Sequence, residues 1–402
     1  MHSTARRLQQ ATRSTSTTAA GRLLFDRDYH VHLGGAIPLS LITAWVTDGK
    51  LTLDDQISDL VTVTSSCQPP SITVRRAFEN FRAFAMSKRS LQANDVDIYA
   101  SAYNTRQYNS LPVFLTLYRA FSKRHLLRLH AHEICRGEYV HPYADVRVSI
   151  PHPNNENNDI DKESPSRYAQ RAIEEMMHFR SCLQPTQNLF ITFPRQTFNV
   201  NRNLEYFNSF VDLLSDNASA GAVSKHQLAF DFAGQPLRTI QTLPLLDKLR
   251  NTFPSSFICY HHGEVCPGIA FSDRVKHTFD LIPYVDRIGH GLCLGLAVLG
   301  INPDFHGIKD VNAVSNEDFI LQNNKDMAYA CLQTLAEEKI GVEISPTCNI
   351  TVGGALSEQV LTEYVREFLK MGVDVFVGTD DPGFLNTTIE KEIAILQKAG
   401  LC

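Results

Sequence analysis

The feature that most constrains the fold is a regular alternation of short β-branched or aromatic runs with longer amphipathic stretches. That rhythm marks repeated βα units, whose crossovers return each strand parallel to the last. Eight runs stand out: Phe25–His32, Tyr143–Ser149, Leu189–Phe193, Leu228–Phe232, Phe257–His261, Val285–His290, Gly341–Ser345 and Val373–Thr379. Eight parallel strands with intervening helices predict an α/β chain folded as a (β/α)8 TIM barrel. A long, mostly helical stretch follows the first run and includes Ile72–Met86 and Leu111–Ala131, where apolar residues recur at three- and four-residue spacing. It reads as a helical insertion over the barrel mouth. The polar segment His152–Ser166 reads as an exposed loop. Residues 23–402 are long enough for one such barrel and are expected to form a single domain.

Composition removes several classes of partner. A net charge of -5 gives no overall attraction to nucleic acid or to an anionic membrane. No apolar run approaches the roughly 20 residues that span a bilayer. Nine cysteines with no CxxC pair suggest reduced thiols, which fits a cytoplasmic protein. Residues 1–22 are rich in Arg, Ser and Thr and lack acids, so they read as a disordered tail or, alternatively, a mitochondrial targeting segment.

The chemistry-bearing residues sit at the ends of the expected strands. In YHVHLGGAIP, His30 and His32 are two apart, and strand alternation sends both imidazoles to one face, where they can share a metal ion. A second HxH, His130 and His132, falls in a stretch with helical spacing and reads as structural or surface histidines. FICYHHGEV ends a strand with His261, a natural third nitrogen ligand, and offers Glu264 as a nearby acid. His262 should point the other way. DRIGHGL places His290 at the end of the sixth run, and VFVGTDDPG places Asp380 and Asp381 after the eighth. Barrel enzymes assemble their sites at that face.

As an ordered set, HVHLGGA, YADVRVS, DFAG, HHGE, RIGHG, SPTCN and GTDDP resemble the adenosine and AMP deaminase family of metal-dependent hydrolases, over most of the chain. The resemblance implies one Zn2+ per chain held by His30, His32, His261 and Asp380. It implies that Glu264 protonates purine N1 and that His290 orients the attacking water and helps to deprotonate it. Gly234 and Asp381 match the contacts to purine N3 and N7. The zinc deaminases that use P-C-x-x-C are a different class, and that motif is absent here.

Three departures from the family pattern shape the expected substrate. HxHLDG reads HVHLGG, so Gly34 replaces a carboxylate that would hold the ribose 5′-hydroxyl and repel phosphate. AMP or dAMP is therefore expected over adenosine, with Arg195, Lys88 and Arg89 as candidate phosphate partners. The stretch from 291 to 319 is longer than usual, as a lid or an inert excursion. The short C-terminus leaves the helix Thr388–Lys398 to close the barrel, or a second subunit to cover it, which predicts a homo-oligomer. Competing readings are an adenosine or deoxyadenosine deaminase proper, a related barrel hydrolase acting on another bond, and a silent binding protein that keeps the fold.

Overall fold

The computed structural model describes residues 20–38, 41, 44–45, 48, 124–151, 164–195, 201–221, 228–234, 242–263, 270–301, 314–351 and 357–401. They form one sheet of nine parallel strands: β1 (Leu23–Leu24), β2 (Asp28–His32), β3 (Ala144–Ser149), β4 (Asn188–Pro194), β5 (Ala229–Ala233), β6 (Phe257–His262), β7 (Arg287–His290), β8 (Gly341–Ile344) and β9 (Val375–Val377). The sheet order is β1-β9-β8-β7-β6-β5-β4-β3-β2, so from β2 to β9 every strand pairs with its successor. Helices follow the strands: α1 (Arg124–Cys135), α2 (Pro165–Cys182), α3 (Asn201–Ser219), α4 (Leu243–Thr252), α5 (Phe271–Leu281), α6 (Leu292–Val298), α7 (Val314–Glu338), α8 (Pro346–Thr351), α9 (Glu358–Lys370), α10 (Pro382–Leu385) and α11 (Ile389–Lys398). The α/β class and the parallel order agree with the alternation in the sequence.

Side-chain alternation gives the sheet two unlike faces. Ile191, Phe193, Phe230, Phe232, Ile258, Tyr260, Ile288, Val342 and Val375 join the helices in one apolar cluster with Tyr168, Phe207, Leu246, Val275, Leu332 and Val365. The alternate positions carry Arg147, Asp231, Cys259, His261, Arg287 and Glu343, all buried. Arg147 on β3 meets Glu343 on β8 at 2.6 Å. Those strands are five places apart in the sheet order, so the sheet must curl for their side chains to touch.

The two ends of the curl also meet. Val31 bridges Asp380, and the His32 N–H donates to the Asp380 carbonyl at 2.7 Å while the Thr379 and Asp380 N–H groups donate to the His30 carbonyl at 3.0 and 2.6 Å. Asp28 fastens this seam. It accepts the Thr379 hydroxyl at 2.6 Å, the Thr379 N–H at 3.0 Å and the His30 N–H at 3.1 Å. Burial lifts its pKa to about 6.

Several expectations change in detail. The first run shortens to β2, because 25–27 lie outside the strand and Phe25 is exposed, and the unexpected β1 precedes it and pairs with β9. The expected insertion lies mostly outside the described residues, as do Ile72–Met86 and the loop at 152–163; only the end of Leu111–Ala131 appears, at the start of α1. The long stretch at 291–319 is not a simple loop: it opens with α6, whose residues are all buried, and enters α7, while 302–313 lie outside the described residues.

Asp28→Ala would remove the carboxylate that accepts the buried His30 N–H and Thr379 hydroxyl, at a cost of about 1–3 kcal/mol. The variant is expected to unfold at a lower urea concentration with an unchanged slope. An unaltered midpoint would show that the seam does not depend on Asp28.

Candidate metal centre

The chain ends of the strands bring the expected histidines and Asp380 together. His30 Nε2 lies 3.3 Å from His32 Nε2, and His32 Nε2 lies 3.0 Å from His261 Nε2. Asp380 Oδ1 stands 3.5 Å from His30 Nε2 and 3.4 Å from His32 Nε2. His290 Nε2 faces the other oxygen, Oδ2, at 3.9 Å. The donor atoms of His30, His261, His290 and Asp380 all lie within 4.8 Å of one another, as do those of His32, Asp231 and His261. Asp231 belongs behind this cluster, because its Oδ1 already accepts from His261 Nδ1 at 2.9 Å.

The donor set suits a small divalent cation. Four ligands around zinc at about 2.0–2.1 Å would lie about 3.3–3.4 Å apart, close to the edges seen among His30, His32, His261 and Asp380. His30 and His261 each present Nε2 because Nδ1 is occupied: His30 Nδ1 donates to Glu343 Oε2 at 2.7 Å, and His261 Nδ1 to Asp231. Such carboxylate partners fix the tautomer and strengthen the ligating nitrogen. Burial pushes the pKa values of His32 and His261 down, which keeps their rings neutral. For His30, burial and the Arg147 charge oppose protonation, but hydrogen bonds to Asp380 and Glu343 win and raise its pKa to about 9. Burial likewise works against the charge of Asp380, yet the neighbouring His30, His290 and His32 hold it well below the usual carboxylate range.

Glu343 is the hub beneath the cluster. Its Oε2 accepts from His30, from Arg147 at 2.6 Å and from the Cys259 thiol at 3.2 Å, while Oε1 accepts from Arg287 at 2.8 Å. Burial opposes its ionisation, but Arg147 and the His30 hydrogen bond hold its pKa far down. Arg147 also lies 3.5 Å from Asp231, so both supporting carboxylates share one guanidinium.

The local backbone is shaped for this arrangement. His290 and Asp380 have φ of 64° and 65°, a left-handed conformation that costs a non-glycine residue roughly 1–2 kcal/mol. At Gly35 a β-carbon would lie 1.6 Å from Asp381 Oδ1, and at Gly378 one would lie 2.4 Å from His30 Cβ. Both glycines therefore allow the first and last strand ends to pack directly. Asp381 precedes α10 but makes no side-chain capping bond to it, so an ordinary helix-cap role does not account for the acid. His290 Nδ1 bonds Asn349 Oδ1 at 3.0 Å, and Asn349 Nδ2 returns to the His290 carbonyl at 3.3 Å.

The remaining expected residues fall in three places. Gly34 is buried in the short 3-10 turn Leu33–Ala36 after β2. Gly234 ends β5 with φ of 89°, and its carbonyl accepts from Arg195. Arg195 is 3% exposed and also donates to the His261 carbonyl at 2.5 Å, so it straps β5 to β6. Glu264, Lys88 and Arg89 lie outside the described residues. His262 points away from the cluster, to the Arg274 carbonyl at 2.9 Å and the Thr278 hydroxyl at 3.1 Å. His130 and His132 lie on α1, where His130 pairs with Glu133 at 3.1 Å. Sequence reasoning assigned no roles to Asp231, Glu343, Arg147 or Asn349. Charge within otherwise apolar strands, single in AFDFA and GVEI and double in ADVRVS, was the available signal for the first three.

No protein-family model matches the chain, and no curated protein does. Its fold matches that of Arabidopsis ADAL complexed with IMP, with a TM-score of 0.51 and 16% identity over 95% of this chain and 86% of that one. It also matches the apo N6-methyl-AMP deaminase from Arabidopsis thaliana, at a TM-score of 0.51 and 16% identity over 96% and 87%. At this identity the likeness is one of fold, and it agrees with the deaminase resemblance read from the motifs.

Asp231→Asn would weaken the orientation of His261, and the loss of such a partner typically costs 10–100-fold in metal affinity. Zinc competition against a chromophoric chelator is expected to show a loss in that range, with the far-ultraviolet dichroism retained. Unchanged affinity would remove Asp231 from the support of the site.

Proposed function

We propose that the chain is a zinc-dependent aminohydrolase on a (β/α)8 barrel that converts a 6-aminopurine 5′-nucleotide, AMP or dAMP, to the 6-oxopurine and ammonia. The convergence of His30, His32, His261 and Asp380 at buried strand ends carries this reading. These four would hold the ion, whose contribution when bound is to lower the pKa of a coordinated water towards ~7. His290, fixed through Nδ1 by Asn349, faces Asp380 with Nε2 and would orient the water that adds to C6. Glu264 would donate a proton to N1, making the ring electron-poor as the C–O bond forms. As the C6–N bond breaks, the amino group takes one proton of the added water and leaves as ammonia, the oxygen stays as the 6-oxo group, and the other water proton restores Glu264. Asp381, seated against Gly35, would meet the purine at N7, where its carboxyl group must be the donor, and the Gly234 backbone would meet N3.

The preference for a nucleotide rests on Gly34 and is supported by the matched structures. The two structures are of one protein, ADAL, an N6-methyl-AMP deaminase that was solved with IMP, a 6-oxopurine nucleotide. A carboxylate at position 34 would add an acceptor for a free 5′-hydroxyl and a charge that repels phosphate. Arg195 has two N–H groups on backbone carbonyls, so its phosphate role would have to use the rest of its guanidinium. Lys88 and Arg89 are the other candidates. The same description of the relative makes N6-methyl-AMP a second substrate to test.

Ammonia release would be measured on the zinc-loaded chain with adenosine, deoxyadenosine, AMP, dAMP and N6-methyl-AMP. Turnover is expected with 5′-nucleotides ahead of nucleosides; adenosine turned over as well as AMP and dAMP would overturn the preference. Gly34→Asp is expected to shift relative kcat/KM towards the nucleosides. Glu264→Gln should retain zinc while kcat falls by at least roughly two orders of magnitude, the lower end for a lost general acid. Near-normal kcat in that variant would refute the assigned proton donor.

A further inference from the structure

Glu392 is a buried acid for which the chemistry above has no use. It lies in the first turn of α11 with no exposed surface, and its two oxygens face different loops. Oε2 accepts the Thr347 backbone N–H at 2.7 Å, and Oε1 accepts the Thr387 hydroxyl. Thr347 belongs to α8, directly after β8, and α8 also carries Asn349. Thr387 follows α10, the turn that begins after Asp380 and Asp381, and its N–H bonds the Pro382 carbonyl at 3.0 Å.

A carboxyl group is a costly choice for a purely structural peg, because burying it without a cationic partner carries a large desolvation penalty. Burial, with Asp28 nearby, lifts the pKa of Glu392 to about 7 despite the hydrogen bonds from Thr387 and Thr347. What the group supplies is a pair of acceptors at a fixed separation on a rigid helix. One end holds the turn carrying Asn349, whose side chain bonds His290 Nδ1 at 3.0 Å and the Tyr364 hydroxyl at 2.9 Å. The other end holds the turn that leaves the Asp380–Asp381 pair.

We propose that Glu392 is a positioning residue: it clamps the loop after β8 to the loop after β9 and so sets Asn349, and through it the His290 ring, against Asp380 and Asp381. This rests on the role given above to His290. A glutamine can keep both contacts, its carbonyl oxygen accepting from Thr347 and its amide donating to the Thr387 oxygen. Alanine keeps neither.

The test combines imidazole nitrogen spectra of the zinc-loaded full chain, with the His290 signals assigned by their loss in His290→Asn, and AMP deamination kinetics. Glu392→Ala is expected to move the His290 signals, leave those of His130 and His132 in place, and lower kcat roughly tenfold or more while KM stays within about twofold; a full 1 Å misplacement costs roughly 10²-fold. Glu392→Gln should return the His290 signals and bring kcat to within about threefold of the unmodified chain. Unmoved His290 signals in the alanine variant, or a glutamine variant as impaired as alanine, would overturn the clamp. If Glu392→Ala does not fold, Thr387→Val removes one arm alone; it should move the same signals in the same direction, and unmoved signals would again overturn the proposal. An unmodified chain without deaminase activity would defeat the proposed reaction, while the ring signals would still decide the clamp.

Discussion

The buried Glu343 carboxylate is the constraint on which the rest of the structure depends. It receives four donors from four strands: His30 on β2, Arg147 on β3, Cys259 on β6 and Arg287 on β7. No flat sheet can bring those strands to one carboxylate on β8, so satisfying Glu343 and curling the sheet are the same event. Such a network is not a cheap source of stability, since desolvating paired charges cancels much of their attraction. It does penalise alternatives: a register shift by one residue would turn every inward charge towards the apolar helices. Removing one member strands the others without solvent, a loss that typically reaches 3–5 kcal/mol.

The same network carries the candidate site. Glu343 and Asp231 are joined through Arg147, and each holds one imidazole by Nδ1. The ring nitrogens of His30 and His261 are therefore set by strands and a common guanidinium rather than by the loops that follow those strands. This explains how the Nε2 atoms of His30 and His261 can be held on either side of His32 without spreading. Around His30 the Asp380 and Glu343 carboxylates favour positive charge, raising its pKa to about 9 against burial and Arg147. A cation among Asp380 and the three imidazoles satisfies that demand without placing a proton on a ligand.

Much of this was legible in the chain because parallel strands and strand-end ligands leave short-range marks. All eight expected strands occur, most within one or two residues, since β-branched runs are bounded by turns and buried on both faces. The first strand was misjudged at Phe25: an aromatic residue looked like strand core but is exposed where the chain turns between β1 and β2. HxH was readable because two imidazoles at i and i+2 share a face. Glu343 and Asp231 were visible only as odd charges within apolar runs, and the partners they choose depend on strands far away in sequence. Glu392 was hidden more deeply. In IEKEIAIL it matches Glu390 as a first-turn acid favourable to a helix N-terminus, yet Glu390 is exposed and Glu392 is buried.

That contrast bears on how the fold divides stability from function. The outer apolar cluster holds strands and helices together, which frees the inner face to carry charge and the strand ends to carry strain. His290 and Asp380 both adopt a left-handed backbone, one ending β7 and the other after β9, and the short turns that follow each strand end must hold those conformations. Local sequence does not favour them, because neither residue is glycine. Support must come from outside the turns: Asn349 grips His290 by side chain and carbonyl, while Asp28 pins Thr379 beside Asp380. Glu392 joins the two systems of support, since one carboxyl group contacts both α8 and the chain beyond α10. The strained geometry at these strand ends is thus secured by buried polar groups that lie outside the candidate ligand set, and that is why a close reading of the ligand motifs alone does not show what holds them in place.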